Sequence, residues 1–538
     1  MGSIYFTYAL YRLYILYDYT DLTIMILKKA ILTCSVLTLT LFSNSCTSSK
    51  HSTETNSQLG FNTLIPKPLS VSSTDSHFTI DEAIRIQLDN NSTELSEVGL
   101  FLKTELEKRT GISASIKSFE VGPSSMYIII KNLDSDNPEA YELDITENAL
   151  YLSSNTSEGA FRGIQTILQL IHHTDTGDWI IPTGMIKDEP QYAYRGTMLD
   201  VSRHFFGVDY LKKYIDILAY YKINHLHLHL SDDQGWRIEI KSWPLLTEIG
   251  GSTDVGGGPG GFYTQEDFKE LVEYAAQRFI TIVPEIDMPG HSNAATASYP
   301  ILNGTDTTPE LYTGKKVGFS TFDTRSDTVY AFVDDVIREI SAISPGPYFH
   351  VGGDESHVTE DADYIYFINR VEKIVQKYGK RMIGWTEVAQ ADLDSTSIAQ
   401  YWVHPEKAAM AIQKNMQLIL SPAERTYLDM KYDSLSPFGY NWIGYISVEH
   451  AYDWNPEEYF EDGDVIGIEA PLWSENFSTA DSLEFMAFPR LIGIAELGWT
   501  TKSNRNWMEY KERLAHQAYY LRRNNINFFA SPDIDWPK

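Results

Sequence analysis

The chain has 538 residues, which exceeds one ordinary domain and fits a barrel joined to a smaller module. Its contents of 43% hydrophobic and 22% charged residues are close to globular averages and exclude a chain that is disordered throughout. Acidic residues outnumber basic ones by 73 to 43, and the resulting net charge of −30 repels phosphate backbones and anionic lipid surfaces, so nucleic acid is not expected as a partner.

The first 58 residues predict an export leader followed by a polar linker. An apolar run at residues 30–42 follows two lysines and is too short to span a bilayer comfortably, which is typical of a signal peptide. Cys46 comes after small residues and before a polar tract, as in a bacterial lipoprotein signal, although Ser43 stands where that pattern usually has a bulky aliphatic residue. We therefore expect an exported periplasmic or outer-membrane lipoprotein that contacts the membrane only through a lipid on Cys46, with Met25 as the natural start. The alternative is an ordinary cleaved signal peptide that leaves Cys46 free.

Residues 59–189 predict a smaller α+β domain in which strand-like and helix-like runs alternate. The strand-like runs are residues 83–88, 125–130 and 150–152, and the helix-like runs are residues 96–110 and 157–172. No pattern in this segment indicates chemistry. We interpret His172 and His173 as the end of the second helix.

Residues 190–538 predict a (β/α)8 barrel. Eight short apolar runs in this segment are each followed by polar or charged residues and then by a helical pattern. These runs are residues 196–199, 225–230, 281–284, 348–351, 382–384, 398–401, 418–420 and 465–469. Barrel enzymes carry their sites at the carboxyl ends of the strands, so we expect the polar residues after these runs to form the site.

A doubly wound open sheet is the alternative α/β fold. It would need a glycine-rich phosphate loop after its first strand, but residues 195–206 contain only Gly196. The glycine-rich run at residues 256–261 follows no strand and has neither the lysine nor the Ser/Thr of a phosphate loop, so we interpret it as a flexible loop. The pattern therefore favours the barrel.

The stretch FHVGGDES is the strongest candidate for chemistry. Its strand-like run ends at Gly352 and Gly353, which adopt backbone conformations that other residues resist. The break in the strand allows Asp354 and Glu355 to reach one pocket. Two close carboxyls should not ionise alike, because burial and mutual repulsion hold one protonated while the other stays charged. This division of roles suits cleavage of a glycosidic bond, although such a turn taken alone is also typical of a surface loop.

Six further stretches carry a resemblance to a known family. They are YRGTMLDVSRHFF, HLHLHLSDDQGWR, VPEIDMPGH, GWTE, YLD and APLWSE, in this order, with HVGGDE between the third and the fourth. Together they resemble the β-N-acetylhexosaminidases of glycoside hydrolase family 20, over about residues 190–500 and more weakly over the α+β domain. The resemblance implies an exo-acting barrel enzyme without a cofactor, which removes terminal N-acetylglucosamine or N-acetylgalactosamine from glycans or chitin fragments.

The resemblance implies three catalytic residues. Glu355 corresponds to the general acid and base. Asp354 corresponds to the residue that holds the N–H of the substrate's 2-acetamido group, so that the carbonyl oxygen attacks the anomeric carbon and forms an oxazolinium, which water opens with retention. Tyr427 corresponds to the tyrosine whose hydroxyl bonds the acetamido oxygen.

The resemblance also implies a closed pocket around one sugar ring. Arg203 corresponds to the residue that binds the 3- and 4-hydroxyls, and Glu475 to the acceptor for the 4- and 6-hydroxyls. Asp429 corresponds to a further contact with sugar hydroxyls. The tryptophans that would form the walls are Trp385, Trp402 and Trp473, with Trp442 at the entrance.

Supporting roles are implied for three more residues. His291 corresponds to a histidine that couples with an upstream aspartate, here Asp232, to support Glu355. Asp287 belongs to the same DMPGH motif as His291.

His225, His227 and His229 alternate along one predicted strand and therefore share one face. Three such ligands would suit zinc, but same-face neighbours lie about 7 Å apart, which is too far to share one ion easily. We favour hydrogen-bonded imidazoles that line the barrel interior, and we expect no metal.

Two alternative functions stay open. A family-20 enzyme that releases a disaccharide, as a lacto-N-biosidase does, would need a wider pocket than Arg203 and Glu475 indicate. A surface lipoprotein that binds glycans without cleaving them would have lost an acid at position 354 or 355, and both acids are present.

Overall fold

The computed structural model describes residues 60–89, 93–118, 122, 124–305 and 307–537. The predicted leader, with Met25 and Cys46, lies outside the described residues. No helix within the described part of the chain is both long enough and apolar enough to cross a bilayer.

Within the described residues, the N-terminal domain contains an eight-stranded mixed sheet against which two long helices pack. The strands are β1 (Ser70–Ile80), β2 (Arg85–Leu88), β3 (Ser115–Ser118), β4 (Ser125–Ile130), β5 (Tyr141–Ile145), β6 (Ala149–Ser154), β7 (His172–His173) and β8 (Trp179–Asp188). They follow the order β1-β8-β5-β6-β4-β2-β3, and β7 pairs with β8. The helices are α1 (Thr93–Thr110) and α2 (Ser157–Leu170), and both pack on the sheet.

Helix α2 lies between this sheet and the following domain, and almost all of its residues are buried. Its Arg162 and Gln169 donate hydrogen bonds to the backbone carbonyls of Phe279 and Tyr220. The helix is therefore covered on both sides, which explains why it carries few exposed polar residues.

The interpretation of His172 and His173 as a helix end is wrong. Helix α2 ends at Leu170, Ile171 is already extended, and the two histidines form β7. They pair with Ile180 and Trp179 of β8, and the His173 ring contacts the Trp179 ring with centroids 4.6 Å apart. Pairing with a strand that follows in sequence overrides the local helical pattern.

The C-terminal domain is a closed barrel of eight parallel strands, which confirms the predicted (β/α)8 barrel preceded by an α+β domain. The barrel strands are β9 (Tyr194–Asp200), β10 (His225–His229), β13 (Thr281–Glu285), β14 (Tyr348–His350), β15 (Arg381–Trp385), β16 (Ile398–Tyr401), β17 (Gln417–Leu420) and β18 (Asp464–Leu472). Two short strands, β11 (Ser231–Asp232) and β12 (Gly235–Trp236), form a hairpin after β10. Each of the eight predicted runs overlaps one barrel strand.

Helices follow the strands around the barrel. They are α3 (Val208–Tyr220), α4 (Leu245–Glu248), α5 (Gln265–Ala276), α6 (Asn293–Ser298), α7 (Asp327–Ile343), α8 (Asp361–Lys377), α9 (Pro405–Gln413), α10 (Ala423–Thr426), α11 (Val448–Tyr452), α12 (Ala480–Ala487), α13 (Arg490–Trp499) and α14 (Trp507–Arg523). Short 3-10 turns lie at Pro300–Leu302, Thr386–Gln390, Pro456–Glu458 and Lys502–Asn504.

A buried ionic cluster joins the two domains. Glu139 of the N-terminal domain accepts hydrogen bonds from Arg162 Nε at 2.7 Å and from Arg195 Nη1 at 2.9 Å, and Arg195 lies on the first barrel strand. Burial alone would raise the pKa of Glu139, but the two guanidinium groups outweigh it and lower the pKa to about 2. Glu139 is therefore ionised at neutral pH and fixes the N-terminal domain to the base of the barrel.

Candidate active site

The chain leaves β14 through a turn whose backbone lies in the left-handed region. Gly352 and Gly353 have φ values of 64° and 93°, and Glu355 has a φ of 45°. A side chain at Gly352 would collide with the carboxylate of Asp287, which accepts a hydrogen bond from the Gly353 amide at 3.0 Å. The turn therefore requires glycine at position 352, and it directs Asp354 and Glu355 to one side of the barrel mouth.

The side chains of Asp354 and Glu355 meet at one histidine. His291 Nε2 lies 3.7 Å from Asp354 Oδ2 and 3.7 Å from Glu355 Oε2. Asp354 is buried, whereas the Glu355 side chain is 29% exposed and can reach a leaving group. Burial raises the pKa of Asp354 to about 6, with His291 opposing the shift and Glu355 adding to it. Asp354 thus changes its charge close to neutral pH.

His291 is held in place by Asp232. His291 Nδ1 donates to Asp232 Oδ1 at 3.2 Å, while the other oxygen of Asp232 lies 2.9 Å from His229 Nε2 and 2.7 Å from Arg203 Nη2. Burial disfavours a charged His291, but the carboxylates of Asp232, Asp287 and Asp354 outweigh it and raise the pKa of His291 well above its usual range. A cationic His291 therefore faces the two carboxyls that follow β14.

Aromatic side chains form one cluster beside the two carboxyls. The Trp385 ring centroid lies 5.8 Å from that of Trp473 and 6.4 Å from that of Trp402. The Tyr427 ring is parallel to Trp402 within 7°, with centroids 6.2 Å apart. The Trp442 ring centroid lies 6.1 Å from that of Tyr427. The Trp442 side chain is 52% exposed, so it lies where the cluster opens to solvent.

The hydroxyl of Tyr427 is suited to donate a hydrogen bond. Burial and the nearby charges of Asp354 and Asp429 raise the pKa of Tyr427 well above its usual range. The phenol therefore keeps its proton at all working pH values.

Each of two tryptophans is fixed by a buried glutamate. Trp385 Nε1 donates to Glu285 at 3.2 Å, and Trp402 Nε1 donates to Glu387 at 3.2 Å. Glu387 also pairs with Lys407 at 3.2 Å. Sequence reasoning gave no role to Glu285, Glu387 or Lys407. The two glutamates lie inside VPEIDMPGH and GWTE. The sequence feature that could have indicated them is a charged residue at or just after the carboxyl end of a barrel strand.

Charged side chains close the inner end of the pocket. Arg203 stacks over Trp473, with its guanidinium carbon 5.0 Å from the ring centroid, and pairs with Asp200 at 3.5 Å. Asp200 accepts from the backbone amides of Arg203 and Ser474 at 3.0 Å each, which joins the loops after β9 and β18.

Several buried polar atoms of the predicted site residues lack a hydrogen-bond partner among the described residues. They are Arg203 Nη1, Asp354 Oδ1, Asp429 Oδ1 and Glu475 Oε2. Buried polar groups are nearly always paired in native proteins, so these four atoms are available to hydrogen-bond a polar ligand. The structure thus brings together the predicted sugar-binding and catalytic residues.

The three histidines of β10 do not converge on one point. His229 Nδ1 faces Glu285 at 2.5 Å, while His227 lies between Glu469 at 2.9 Å and Glu285 at 3.0 Å. His225 Nδ1 bonds Asn224 at 2.7 Å near the opposite end of the strand. His227 and His229 therefore share one oxygen of Glu285, whereas His225 is bonded separately near the other end of the strand.

A cavity of about 320 Å³ adjoins the exposed side of Glu355. Trp402, His404, Lys407 and Gln390 are among the residues that line it. The polar lining provides space for a leaving group beside the carboxyl of Glu355.

Comparison with known proteins identifies the family. The family model described as "Glycosyl hydrolase family 20, catalytic domain" matches residues 192–502. The chain belongs to this family. The model for domain 2 of the same family matches residues 62–189, so the N-terminal domain is also a family feature. The resemblance seen in the ordered motifs is therefore confirmed.

Relatives of this family 20 chain match most of its length. The chain is 36% identical to a Beta-N-acetylhexosaminidase from Cellulomonas fimi, over 88% of this chain and 97% of that protein. The solved GH20 beta-N-acetylhexosaminidase from Streptomyces coelicolor A3(2) is 44% identical, with a TM-score of 0.85 over 89% of this chain and 99% of that one. A mutant Streptomyces plicatus beta-hexosaminidase, solved with its product GlcNAc, is 45% identical, with a TM-score of 0.84 over 89% and 98% of the two chains. The expected enzyme class, a glycoside hydrolase, is confirmed.

Proposed function

We propose that this family 20 glycoside hydrolase is an exo-acting, retaining β-N-acetylhexosaminidase that uses the substrate's own 2-acetamido group as nucleophile. The names of its relatives support the substrate class. The observation that carries the mechanism is the buried Oδ1 of Asp354 beside the tryptophan cluster, which has no hydrogen-bond partner within the described part of the chain. A carboxylate in this position can accept the acetamido N–H and oppose the positive charge that develops on its nitrogen.

The first step forms a ring within the bound sugar. The acetamido oxygen attacks the anomeric carbon while the bond to the leaving oxygen breaks and Glu355 donates a proton to that oxygen. Tyr427 donates its hydroxyl hydrogen bond to the attacking oxygen and orients it. A nucleophile that is already attached to the substrate avoids the entropic cost of bringing in a second group.

In the second step Glu355 changes from proton donor to proton acceptor. Glu355, now a carboxylate, takes a proton from water as that water attacks the anomeric carbon and opens the oxazolinium. Two inversions at one carbon give net retention. The walls formed by Trp385, Trp402 and Trp473 exclude other water and strengthen the contact between Asp354 and the intermediate.

The polar inner end of the pocket supports exo action. Arg203 and Asp429 are buried, and Arg203 is fixed between Asp200 and Asp232. Together with Glu475 they provide donors and acceptors for the hydroxyls of one terminal sugar. These side chains stand where a longer chain would have to continue, so only the non-reducing end can bind.

A substrate without the acetamido group tests this function. We expect kcat/KM on 4-nitrophenyl β-glucoside to be lower than on its N-acetyl counterpart by about 1,000-fold or more, because the glucoside lacks the intramolecular nucleophile. The two substrates share their leaving group, which makes the glucoside the matched control. Comparable rates on both would contradict the substrate-assisted mechanism.

The pKa of Asp354 predicts the acidic limb of the pH profile. With a pKa of about 6, this carboxyl loses its charge as the pH falls through that value, and the uncharged form cannot stabilise the oxazolinium. We therefore expect kcat/KM to fall towards tenfold per pH unit as the pH drops below about 6. Initial rates with the 4-nitrophenyl substrate measure this, with thermal melting at each pH as the control for folding. A profile that stays flat down to about pH 4.5 would show that Asp354 is not the required anion.

We also propose that the chain is exported and anchored through Cys46. The apolar run after two lysines and the small residues before Cys46 support this, and both lie outside the described residues. The mass of the mature N-terminal peptide distinguishes an acylated Cys46 from an ordinary cleaved signal peptide.

A further inference from the structure

The barrel interior beneath the pocket holds buried charged groups that the mechanism above does not use. Acidic and imidazole side chains alternate there in one continuous row that ends at the two catalytic carboxyls. The row runs in the order Glu469, His227, Glu285, His229, Asp232 and His291. Neighbouring members lie between 2.5 and 3.2 Å apart.

Glu285 is the member of the row that also contacts the pocket wall. It ends β13 and has no exposed surface. One carboxylate oxygen accepts the indole N–H of Trp385 at 3.2 Å and lies 3.0 Å from His350 Nδ1. The other oxygen lies 2.5 Å from His229 Nδ1 and 3.0 Å from His227 Nε2. A single side chain therefore joins the acetamido wall to the row of charges.

The contacts of His229 define its protonation. Its two ring nitrogens each face a carboxylate oxygen, from Glu285 on one side and from Asp232 on the other. Both nitrogens must carry a hydrogen to satisfy both contacts, so the ring is a cation. Burial opposes this, but the two carboxylates outweigh it and raise the pKa of His229 well above its usual range.

We propose that Glu285 is a positioning residue for catalysis, because one carboxylate aligns Trp385 with the acetamido group and aligns His229, Asp232 and His291 with the catalytic pair. The proposal rests on the proposed function. Asp232 has only two oxygens, and it shares them among His229, His291 and Arg203. A displaced His229 therefore displaces Asp232, and through it His291, which contacts both Asp354 and Glu355 at 3.7 Å.

Glu285→Gln tests this role with little change in volume. The amide keeps one acceptor for Trp385 but places an NH2 group against a histidine N–H and removes the negative charge. We expect kcat on the 4-nitrophenyl N-acetyl substrate to fall by about 100-fold with a much smaller change in KM, because the reacting groups are misplaced rather than lost. The negative charge of Glu285 raises the pKa of Asp354, so its loss lowers that pKa. The acidic limb of kcat/KM should therefore move to lower pH.

His229→Gln is the second variant and has the opposite electrostatic sign. It removes a cation from the row and leaves the bond between Glu285 and Trp385 in place, so kcat should fall and the acidic limb should move to higher pH. If Glu285→Gln does not fold, the kcat and pH profile of His229→Gln test the proposal on their own. A purely structural role would change stability in both variants without moving the limb in opposite directions.

Glu496→Gln is the matched control. Glu496 is also fully buried, but it bonds Arg513 and Tyr452 and belongs to no part of the site. This variant should lose stability and keep the wild-type pH profile. If Glu285→Gln kept the wild-type kcat and pH profile, the role of Glu285 would be overturned and the proposed function would stand. If the wild-type enzyme were inactive on the N-acetyl substrate, the proposed function itself would be contradicted.

Discussion

Replacing Asp354 by asparagine is expected to lower kcat on 4-nitrophenyl N-acetyl-β-glucosaminide by about 100- to 1,000-fold. The amide is similar in size, and its oxygen can still accept the acetamido N–H. It cannot carry the negative charge that opposes the oxazolinium, and it leaves the cationic His291 without one of its counter-charges. Initial rates over a range of substrate concentrations separate the loss in kcat from any change in KM.

Asp392→Asn provides the control for Asp354→Asn. Asp392 is exposed, so the same chemical change there leaves the pocket unaltered. We expect wild-type kinetics for this variant. If Asp354→Asn kept a kcat within a few-fold of the wild type, the charge on Asp354 would not be part of the mechanism.

Glu355→Gln should have an effect that depends on the leaving group. On a disaccharide, the departing alkoxide needs a proton, and we expect a loss of about 10²- to 10⁴-fold. A dinitrophenolate departs without protonation, so the formation of the intermediate should be much less impaired on that substrate. Measuring kcat/KM on both substrates isolates this first step from the hydrolysis of the intermediate.

The corresponding control is Glu360→Gln. Glu360 is exposed at the start of α8, and its side chain makes no capping hydrogen bond. Equal losses on the disaccharide and on the dinitrophenyl substrate for Glu355→Gln would show that Glu355 is not the proton donor.

The barrel could be predicted from sequence because its strands are short, apolar and followed by polar residues. The prediction at residues 398–401 coincides with β16, and β9 and β18 extend beyond their predicted runs because closing the barrel pairs them with each other. His172 and His173 show the limit of local patterns. Their conformation is decided by pairing with β8, which the helical spacing before them does not reveal.

The candidate site could be predicted where a residue belongs to an ordered motif, as Asp354 and Glu355 do. Glu285 and Glu387 also lie in ordered motifs, but their roles could not be predicted, because their partners Trp385 and Trp402 come from other strand–loop units of the barrel. The raised pKa of Asp354 likewise depends first on burial by the assembled barrel mouth. The link from Glu139 to Arg195 joins two domains and has no local signature.

The closed inner end of the pocket has a consequence for how a polymer would be degraded. Arg203 and Asp429 block the inner end, and the opening lies on the side of Trp442. A glycan must enter end first, and after each cut the remaining chain has to leave before the monosaccharide trapped behind it can escape. Under the proposed exo action the enzyme cannot slide along a polymer. We therefore expect distributive degradation, in which a population of chains shortens together instead of one chain being consumed at a time.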